Sequence, residues 1–247
     1  MAALSDDELY RRGASTLVAS WEEYARGAVG AAVRWLPGVA AAVFPSEPER
    51  AVYNNALVDR DLDPVRRAHA IGAIEAVYRE AGVTRFAVWA HESDRPLQSA
   101  LERRGFVFDS STRAMAMSLE DVRLPRPELE LAAPNWSEYL RIVGVPPDFL
   151  SGADPGAYHI ALARLDGDTV ATGMAFDLDG DSGIYNVGTV EHARRRGLGT
   201  AVTTLLMHDA LARGCETASL QSTEMAERVY SAVGFRDLGR IFEYVPK

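Results

Sequence analysis

Arginines and glycines are concentrated in one short segment of the second half of the chain. The segment reads Arg194, Arg195, Arg196, Gly197, Leu198, Gly199 and Thr200. Apolar residues recur at helical spacing from Leu198 to Arg213, which predicts that a helix begins here. Glycine lets the backbone approach a ligand closely, and a helix start presents free N–H groups and a positive dipole end. Because arginine also binds phosphate oxygens bidentately, the segment predicts a site for a pyrophosphate-like anion.

Tyr230 lies four residues before Gly234, near the end of a predicted helix over residues 224–233. Met225, Val229 and Val233 form an apolar stripe on this helix, and Tyr230 lies on its flank. A packed side chain is therefore one interpretation of Tyr230.

The segment 194–200 and Tyr230 are preceded by predicted strands that would hold them in place. The pair Asp166-Gly167 predicts a hairpin turn between strands 158–165 and 169–177, and a second turn spans 177–183. The acidic residues of that second turn lack the later ligands of a calcium loop, so a hairpin is the better interpretation. Further elements are predicted as strand 184–190, helix 198–213, strand 218–221, helix 224–233 and strand 239–245. Alternating strands and helices indicate an α/β fold with a mixed sheet.

The chain contains an internal repeat. The segment 51–58 resembles 183–190, and Gly82 precedes a strand at the same spacing at which Gly214 does. We therefore predict two copies of one fold, as domains 1–122 and 128–247, joined by a linker with two prolines. The first copy is predicted to contain helix 6–26, a hairpin through Pro37-Gly38, strand 51–58, helix 64–81, strand 85–90, helix 95–104 and strand 112–119.

The pattern Arg-x-x-Gly-x-Gly at 194–199, with the surrounding order of strands and helices and the Tyr-x-x-x-Gly-Phe ending, resembles the GNAT acetyltransferase superfamily. The resemblance covers roughly residues 128–247. It implies an α/β (α+β) fold of two GNAT-like domains, each with a mixed, mostly antiparallel central sheet flanked by helices. It also implies acetyl-CoA as the co-substrate.

The resemblance assigns roles to matching positions. The backbone amides of 195–200, with Arg194, Arg195 and Arg196, would hold the pyrophosphate. The strand residues Val187, Gly188 and Thr189 would pair with the pantetheine amides, and Tyr230 would protonate the departing thiolate. Thr223 stands where the family often has asparagine, which puts that contact in question. The cofactor-binding residues are therefore predicted to be Val187, Gly188, Thr189, Arg194, Arg195, Arg196, Gly197, Leu198, Gly199, Thr200 and Thr223.

The first copy has lost these features. Leu62 stands at the position of Arg194, and both glycines of the loop are missing. Asp63 adds negative charge and Pro64 removes an N–H group, so a pyrophosphate would be repelled and under-coordinated. Leu101 replaces the tyrosine. We therefore predict that domain 1–122 is degenerate and binds no CoA.

The expected reaction is transfer of an acetyl group from acetyl-CoA to an amine of a small molecule or peptide. Attack would be direct, because no activated cysteine or serine lies in the motif region. Transfer of another acyl group, and a non-catalytic acyl-CoA-binding sensor or partner protein, remain alternatives. The acceptor is open, and so is the general base. Its candidates are Asn186, Glu191, His192, Glu243, a water relay, or an amine that arrives neutral.

Composition excludes several classes. The 247 residues carry a formal net charge of −9, which disfavours nucleic-acid binding. No apolar run reaches membrane-spanning length, and the first residues lack an apolar h-region, so we expect no secretory signal. The only cysteine, Cys215, predicts a reducing cytoplasm. The histidines lack metal-ligand spacing, and Val202 occupies the third glycine position of a dinucleotide fingerprint. We expect no metal, no nucleic acid, no membrane, and a monomer with its two domains packed together.

Overall fold

The computed structural model describes residues 4–145 and 154–247. The helices within them are α1 (Asp6–Arg26), α2 (Pro64–Glu80), α3 (Arg95–Arg103), α4 (Trp136–Val143), α5 (Leu198–Ala212) and α6 (Glu227–Val233). The strands are β1 (Ala32–Leu36), β2 (Val39–Val43), β3 (Asn55–Val58), β4 (Ala87–His91), β5 (Phe106–Ser118), β6 (His159–Leu165), β7 (Asp168–Leu178), β8 (Asp181–Thr189), β9 (Thr217–Ser222) and β10 (Arg236–Pro246).

The chain forms two compact units, each built from two separate segments. Unit 1 contains the described residues of 1–20 and 113–238, and unit 2 contains 21–112 and 239–247. Each half of the chain thus gives part of its last strand to the other unit: residues 113–118 of β5 pair with β9, and residues 241–244 of β10 pair with β4. This grouping differs from the predicted contiguous domains 1–122 and 128–247, which stay a prediction about the sequence repeat.

The sheet of unit 1 has the order β5-β9-β8-β7-β6. Only β8 and β9 run parallel, while the other neighbours are antiparallel. The apolar side of α5, with Val202, Leu205 and Leu206, packs on one face of this sheet together with Ala218 and Leu220 of β9. Successive side chains of a strand point to opposite faces. Ser219, between these two, therefore points to the other face.

The first half of α1 lies on that other face. Gly13 permits its close approach, because a Cβ there would lie 2.7 Å from Ser219 Cβ. The carboxylate of Asp181 is buried and accepts hydrogen bonds from the hydroxyls of Thr16 (2.8 Å), Thr217 (2.7 Å) and Ser219 (2.7 Å). A buried carboxylate is tolerated where it is hydrogen-bonded in this way. Asp181 therefore fixes α1 on the sheet and is not offered to a ligand.

Unit 2 has the strand order β1-β2-β3-β4-β10, with β3 and β4 parallel. Its core lies between this sheet and helices α2 and α3. Tyr78 of α2 is fully buried, stacks on Phe86 with ring centroids 4.2 Å apart, and donates a hydrogen bond to the Ala42 carbonyl at 2.9 Å. Units 1 and 2 thus each contain a mixed, mostly antiparallel sheet flanked by helices, which confirms the predicted mixed α/β fold. The arrangement as two GNAT-like domains stays a prediction.

Most predicted elements are found, and the structure corrects several boundaries. The strands predicted over 184–190 and 239–245 begin earlier, at Asp181 and Arg236, and the helix predicted over 224–233 begins as a 3₁₀ turn before α6. The strand predicted over 51–58 begins only at Asn55, because the buried Asn54 side chain bonds the Phe44 N–H and the Glu47 and Arg50 carbonyls and holds a turn. The strand predicted over 112–119 starts earlier, at Phe106. The second turn is shorter than 177–183, because Asp179 and Gly180 alone take positive φ values, 47° and 81°, and close the hairpin.

Gly173, in β7, is a position where a side chain does not fit. A Cβ there would lie 2.9 Å from both Leu206 Cδ1 and Val202 Cγ1, and 3.3 Å from Val187 Cγ2. We expect Gly173→Ala to lower the free energy of unfolding by about 1–3 kcal/mol, the usual cost of overpacking, as measured by urea denaturation.

Gly72→Ala is the matched control in the other unit. Gly72 lies inside α2, and its Cβ would meet only Arg104 Nη2, at 3.9 Å. This change should raise stability by roughly 0.5–1 kcal/mol, the helix preference of alanine over glycine. Equal effects of the two substitutions would show that packing around Gly173 is looser than the distances indicate.

Candidate functional site

The arginine- and glycine-rich segment forms an open loop that leads from β8 into α5. Arg195 and Gly197 both adopt left-handed backbone conformations, with φ of 62° and 77°. Gly197 is the N-cap of α5 and supplies no side-chain hydrogen bond to the helix. The N–H groups of the first turn have no partner within a helix. The loop therefore presents the free N–H groups of Leu198, Gly199 and Thr200 at its inner edge.

The two glycines of the loop lie in open space, and the three arginines that precede them are exposed. A Cβ built on Gly197 or Gly199 would meet no atom within 4 Å. Arg194, Arg195 and Arg196 are all exposed. Arg194 Nε donates to the Thr189 carbonyl at 3.2 Å, while Arg195 and Arg196 make no ion pair with any residue in the described ranges. The loop thus combines helix-start amides with unneutralised charge, the requirements of an anion site.

Strands β8 and β9 separate on the way to this loop. They are paired only at Asp181–Gly183 against Thr217–Ser219, although β8 continues to Thr189 and β9 to Ser222. On its other side β8 stays paired with β7 through Thr189, with a register shift opposite Thr172 and Met174. The backbone groups of residues 187–189 that face β9 therefore lack a partner strand. Such an edge can accept an extended chain through main-chain hydrogen bonds.

Tyr230 lies on α6, with 8% of its surface exposed. Its ring contacts Phe235 edge-on, with centroids 5.9 Å apart, and it belongs to the apolar core of unit 1. Burial raises the pKa of its hydroxyl to about 12. The hydroxyl has no hydrogen-bond partner among residues 4–145 and 154–247. Tyr230 is therefore both a packed ring and a neutral hydroxyl that remains able to donate.

Thr223 follows β9 and is exposed. Its side chain caps no helix, while its carbonyl accepts hydrogen bonds from Ser222 Oγ (2.8 Å) and Ala226 N (3.0 Å). Its hydroxyl is free of the capping role that this type of residue often has. The predicted cofactor-binding residues and Tyr230 all lie in unit 1, at the end of β8, in the loop with the first turn of α5, and after β9. Their roles stay predictions.

The four candidates for the general base differ in their surroundings. Asn186 is exposed and donates its Nδ2 to the hydroxyl of Tyr139 at 2.8 Å. Glu191 and His192 are exposed in a short 3₁₀ turn. Glu243 lies in unit 2 and accepts a hydrogen bond from Ser110 Oγ at 3.1 Å, and burial raises its pKa. An amide is not a base, so Asn186 requires another explanation.

Two residues near β8 were not singled out from the sequence. Tyr139 is fully buried on α4, and Gly173 lies opposite the register shift. A glycine inside a strand pattern is a known sign of a bulge, so Gly173 carried a readable signal. Tyr139 carried none, because its contact with Asn186 joins residues far apart in the chain.

The described residues were also searched for membrane-spanning helices and for metal-binding groups. No helix in the part of the chain that the structure describes is long and apolar enough to cross a membrane. Within the same residues, no group of three or more histidine, cysteine, aspartate or glutamate side chains is arranged to hold a metal ion.

Comparisons with known proteins gave one match to a family model and several similar folds. Residues 119–235 match the sequence model described as the acetyltransferase (GNAT) family. The search of curated proteins found no match. Among solved structures, a GCN5-related N-acetyltransferase from Kribbella flavida has 17% identity and a TM-score of 0.73, over 95% of each chain.

Two further structures share the fold. A GCN5-related N-acetyltransferase from Sphaerobacter thermophilus has 17% identity and a TM-score of 0.62, over 94% of this chain and 84% of that one. A tandem GNAT protein from the clavulanic acid biosynthesis pathway has 14% identity and a TM-score of 0.58, over 84% of this chain and 77% of that one. The family model thus matches slightly less than half of the chain, and these solved structures show a likeness of fold.

Proposed function

We propose that this protein is an acetyl-CoA-dependent N-acetyltransferase that acetylates an amine of a small molecule or peptide. One observation carries the proposal: the strand edge of β8 that β9 leaves free is followed along the chain by an exposed arginine loop and the uncapped start of α5. Amides and cations suit a pyrophosphate, and a free strand edge suits the two amides of pantetheine. Pyrophosphate and pantetheine are neighbouring parts of one extended ligand.

The residues present fit this co-substrate. The N–H groups of residues 198–200, with Arg194, Arg195 and Arg196, would hold the pyrophosphate. The backbone of Val187, Gly188 and Thr189 would bond the pantetheine as an added strand, and the free hydroxyl of Thr223 would lie beside it. The bound thioester supplies an acyl carbon that is activated toward a neutral amine.

Tyr230 would hold the proton that the departing sulfur takes up. Its raised pKa, about 12 because of burial, keeps the hydroxyl protonated at every physiological pH, so it can donate and cannot act as a base. Cys215 is buried, and burial raises its pKa to about 11. Since the thiolate is the nucleophilic form, Cys215 gives no support to an acyl-enzyme, and direct transfer is the simpler route.

We further propose that the first half of the chain is a degenerate copy without a CoA site. The N-terminus of α2 can be compared with that of α5, which has no side-chain cap. At α2, Asp63 is the N-cap, and its Oδ1 accepts the N–H groups of Val65 and Arg66 at 2.9 Å each. These backbone hydrogen bonds, led by that of Arg66, hold the pKa of Asp63 below its ordinary value. At the N-terminus of α2, the carboxylate of Asp63 thus occupies the position where an anionic ligand would bind.

Thermal unfolding with and without acetyl-CoA tests the proposal first. Ligand at about 100 times its dissociation constant should stabilise a one-site protein by about 2.7 kcal/mol, a shift of several degrees. Free CoA should stabilise the protein similarly, since it carries the same pyrophosphate. No shift with millimolar acetyl-CoA would contradict the proposed site.

Release of free thiol with a panel of amines then separates enzyme from sensor. We expect acetyl-CoA and at least one primary amine to release CoA, with one acetylated product per thiol. A non-catalytic acyl-CoA sensor is the second candidate. It is favoured by Thr223, which stands where the family often has asparagine. Binding of acetyl-CoA without thiol release in the presence of any amine would favour that candidate. A faster reaction with a longer acyl-CoA than with acetyl-CoA would show that the transferred group is a longer acyl group.

A further inference from the structure

Asn186 occupies an unusual backbone position at the point where β8 leaves β9. Its φ of 51° lies in the left-handed region, and it falls in the register shift against β7, where two residues of β8 oppose Gly173 alone. This is the geometry of a β-bulge. Non-glycine residues adopt this conformation at an energetic cost, and asparagine adopts it more readily than most. Something must hold the bulge in this form.

The side chain of Asn186 provides that restraint. Its Nδ2 donates to the hydroxyl of Tyr139 at 2.8 Å. Tyr139 is fully buried, and its ring stacks on Trp136 with centroids 5.3 Å apart and planes 18° apart. The acceptor is therefore a fixed point, so the hydrogen bond restrains Asn186 rather than following it.

Helix α4, which carries Tyr139, is itself fastened to β7. Glu138 Oε2 accepts a hydrogen bond from Thr169 Oγ1 at 2.7 Å, and Arg141 Nη2 donates to the Thr169 carbonyl at 3.3 Å. The next turn of α4 reaches β8, since a Cβ on Gly188 would lie 3.4 Å from Ile142 Cγ2. Helix α4 thus contacts β7 and β8, the two strands that form the bulge.

On the opposite face, the bulge is packed against α5. Val187 is partly buried on the core that contains Val202 and Leu206. The absent side chain of Gly173 leaves room for it, as a Cβ there would come within 3.3 Å of Val187 Cγ2. Packing on one face and the Asn186–Tyr139 hydrogen bond on the other together define the backbone direction of residues 187–189.

We propose that Asn186 is a positioning residue, held in its left-handed conformation by Tyr139 so that the free edge of residues 187–189 faces the gap between β8 and β9. The proposal rests on the proposed function, because it assigns this edge to the pantetheine of acetyl-CoA. It also replaces the candidate role of Asn186 as a general base with one that an amide can perform.

Three variants test it by their affinity for acetyl-CoA, measured by titration calorimetry. Asn186→Ala removes the hydrogen bond and disfavours the left-handed backbone, so we expect affinity to fall at least about tenfold. Asn186→Gly permits the left-handed backbone but also loses the hydrogen bond, so its affinity should lie between those of the parent and Asn186→Ala. Tyr139→Phe keeps the stacked ring and removes only the acceptor, so its effect should be smaller than that of Asn186→Ala.

A double variant and a ligand fragment sharpen the test. If the two side chains act through one hydrogen bond, Tyr139→Phe should add little to Asn186→Ala, because the interaction is already lost. 3′-Phosphoadenosine 5′-diphosphate contains the pyrophosphate and no pantetheine, so its affinity should stay within about twofold in every variant, whereas general destabilisation would lower the affinity for both ligands.

The possible failures are distinguishable. If the unchanged protein binds neither ligand, the proposed function is wrong. If the unchanged protein binds acetyl-CoA and Asn186→Ala binds it equally well, only the positioning role is wrong. An Asn186→Gly variant that binds acetyl-CoA as tightly as the parent would also overturn it, since the hydrogen bond to Tyr139 would then not be needed.

Discussion

Gly199→Asp is expected to lower the affinity for acetyl-CoA at least about 100-fold, because it places a carboxylate beside the first-turn amides that would hold the pyrophosphate. The same change should leave the fold intact. A Cβ on Gly199 meets no atom within 4 Å, and an acidic residue in the first turn of a helix is stabilising by about 0.3–1 kcal/mol. Binding and stability should therefore move in opposite directions, which calorimetry and thermal unfolding can measure together.

Gly199→Asn is the matched control, since it adds nearly the same volume without the charge. Its loss of affinity should be well below that of Gly199→Asp, and the difference between the two variants measures the electrostatic part. The chain already contains a comparable arrangement at α2, where the Asp63 carboxylate occupies the helix start. If Gly199→Asp binds acetyl-CoA as tightly as the parent, the phosphate site does not lie at α5.

Tyr230→Phe is expected to lower kcat by at least about 100-fold, the lower end of the contribution of a general acid, while the dissociation constant of acetyl-CoA stays within about twofold. The ring and its contact with Phe235 remain, because only the hydroxyl is removed. Steady-state rates test the fall in kcat, and equilibrium binding of the same preparation tests the unchanged dissociation constant. Full activity would show that Tyr230 serves packing alone.

Tyr78→Phe gives the opposite pattern and serves as the control. Tyr78 lies in unit 2 and donates to the Ala42 carbonyl at 2.9 Å. Removing its hydroxyl should lower stability by about 1 kcal/mol through the lost buried hydrogen bond, with kcat unchanged. A loss of kcat in this variant would show that turnover responds to stability in general and would weaken the case for Tyr230.

The pKa of Tyr230 also sets the pH dependence. Because burial raises the pKa to about 12, the hydroxyl keeps its proton between pH 7 and about pH 10, and turnover should show no alkaline decline caused by this residue there. In the unfolded chain the group ionises near its ordinary value of 10.0. The stability that its burial contributes is therefore present below pH 10 and is lost as pH rises toward about 12.

The sequence by itself determined the elements whose signals are local. The predicted bounds of α1, 6–26, are those observed, and α5 begins at the predicted Leu198. Such features depend on residues a few positions apart: the helical period of apolar side chains, the glycines at the loop, and a cap such as Asp63. The Arg-x-x-Gly-x-Gly loop was readable for the same reason, since its chemistry lies in consecutive residues.

Only the tertiary structure decided which strands share a sheet and which edges stay free. That β5 pairs with β9 and β10 with β4 depends on contacts between distant segments, which no local pattern encodes. The same applies to the end of pairing between β8 and β9, the hydrogen bond from Asn186 to Tyr139, and the buried carboxylate of Asp181. The raised pKa of Tyr230 belongs here as well, because desolvation is a property of the packed core and not of the residue.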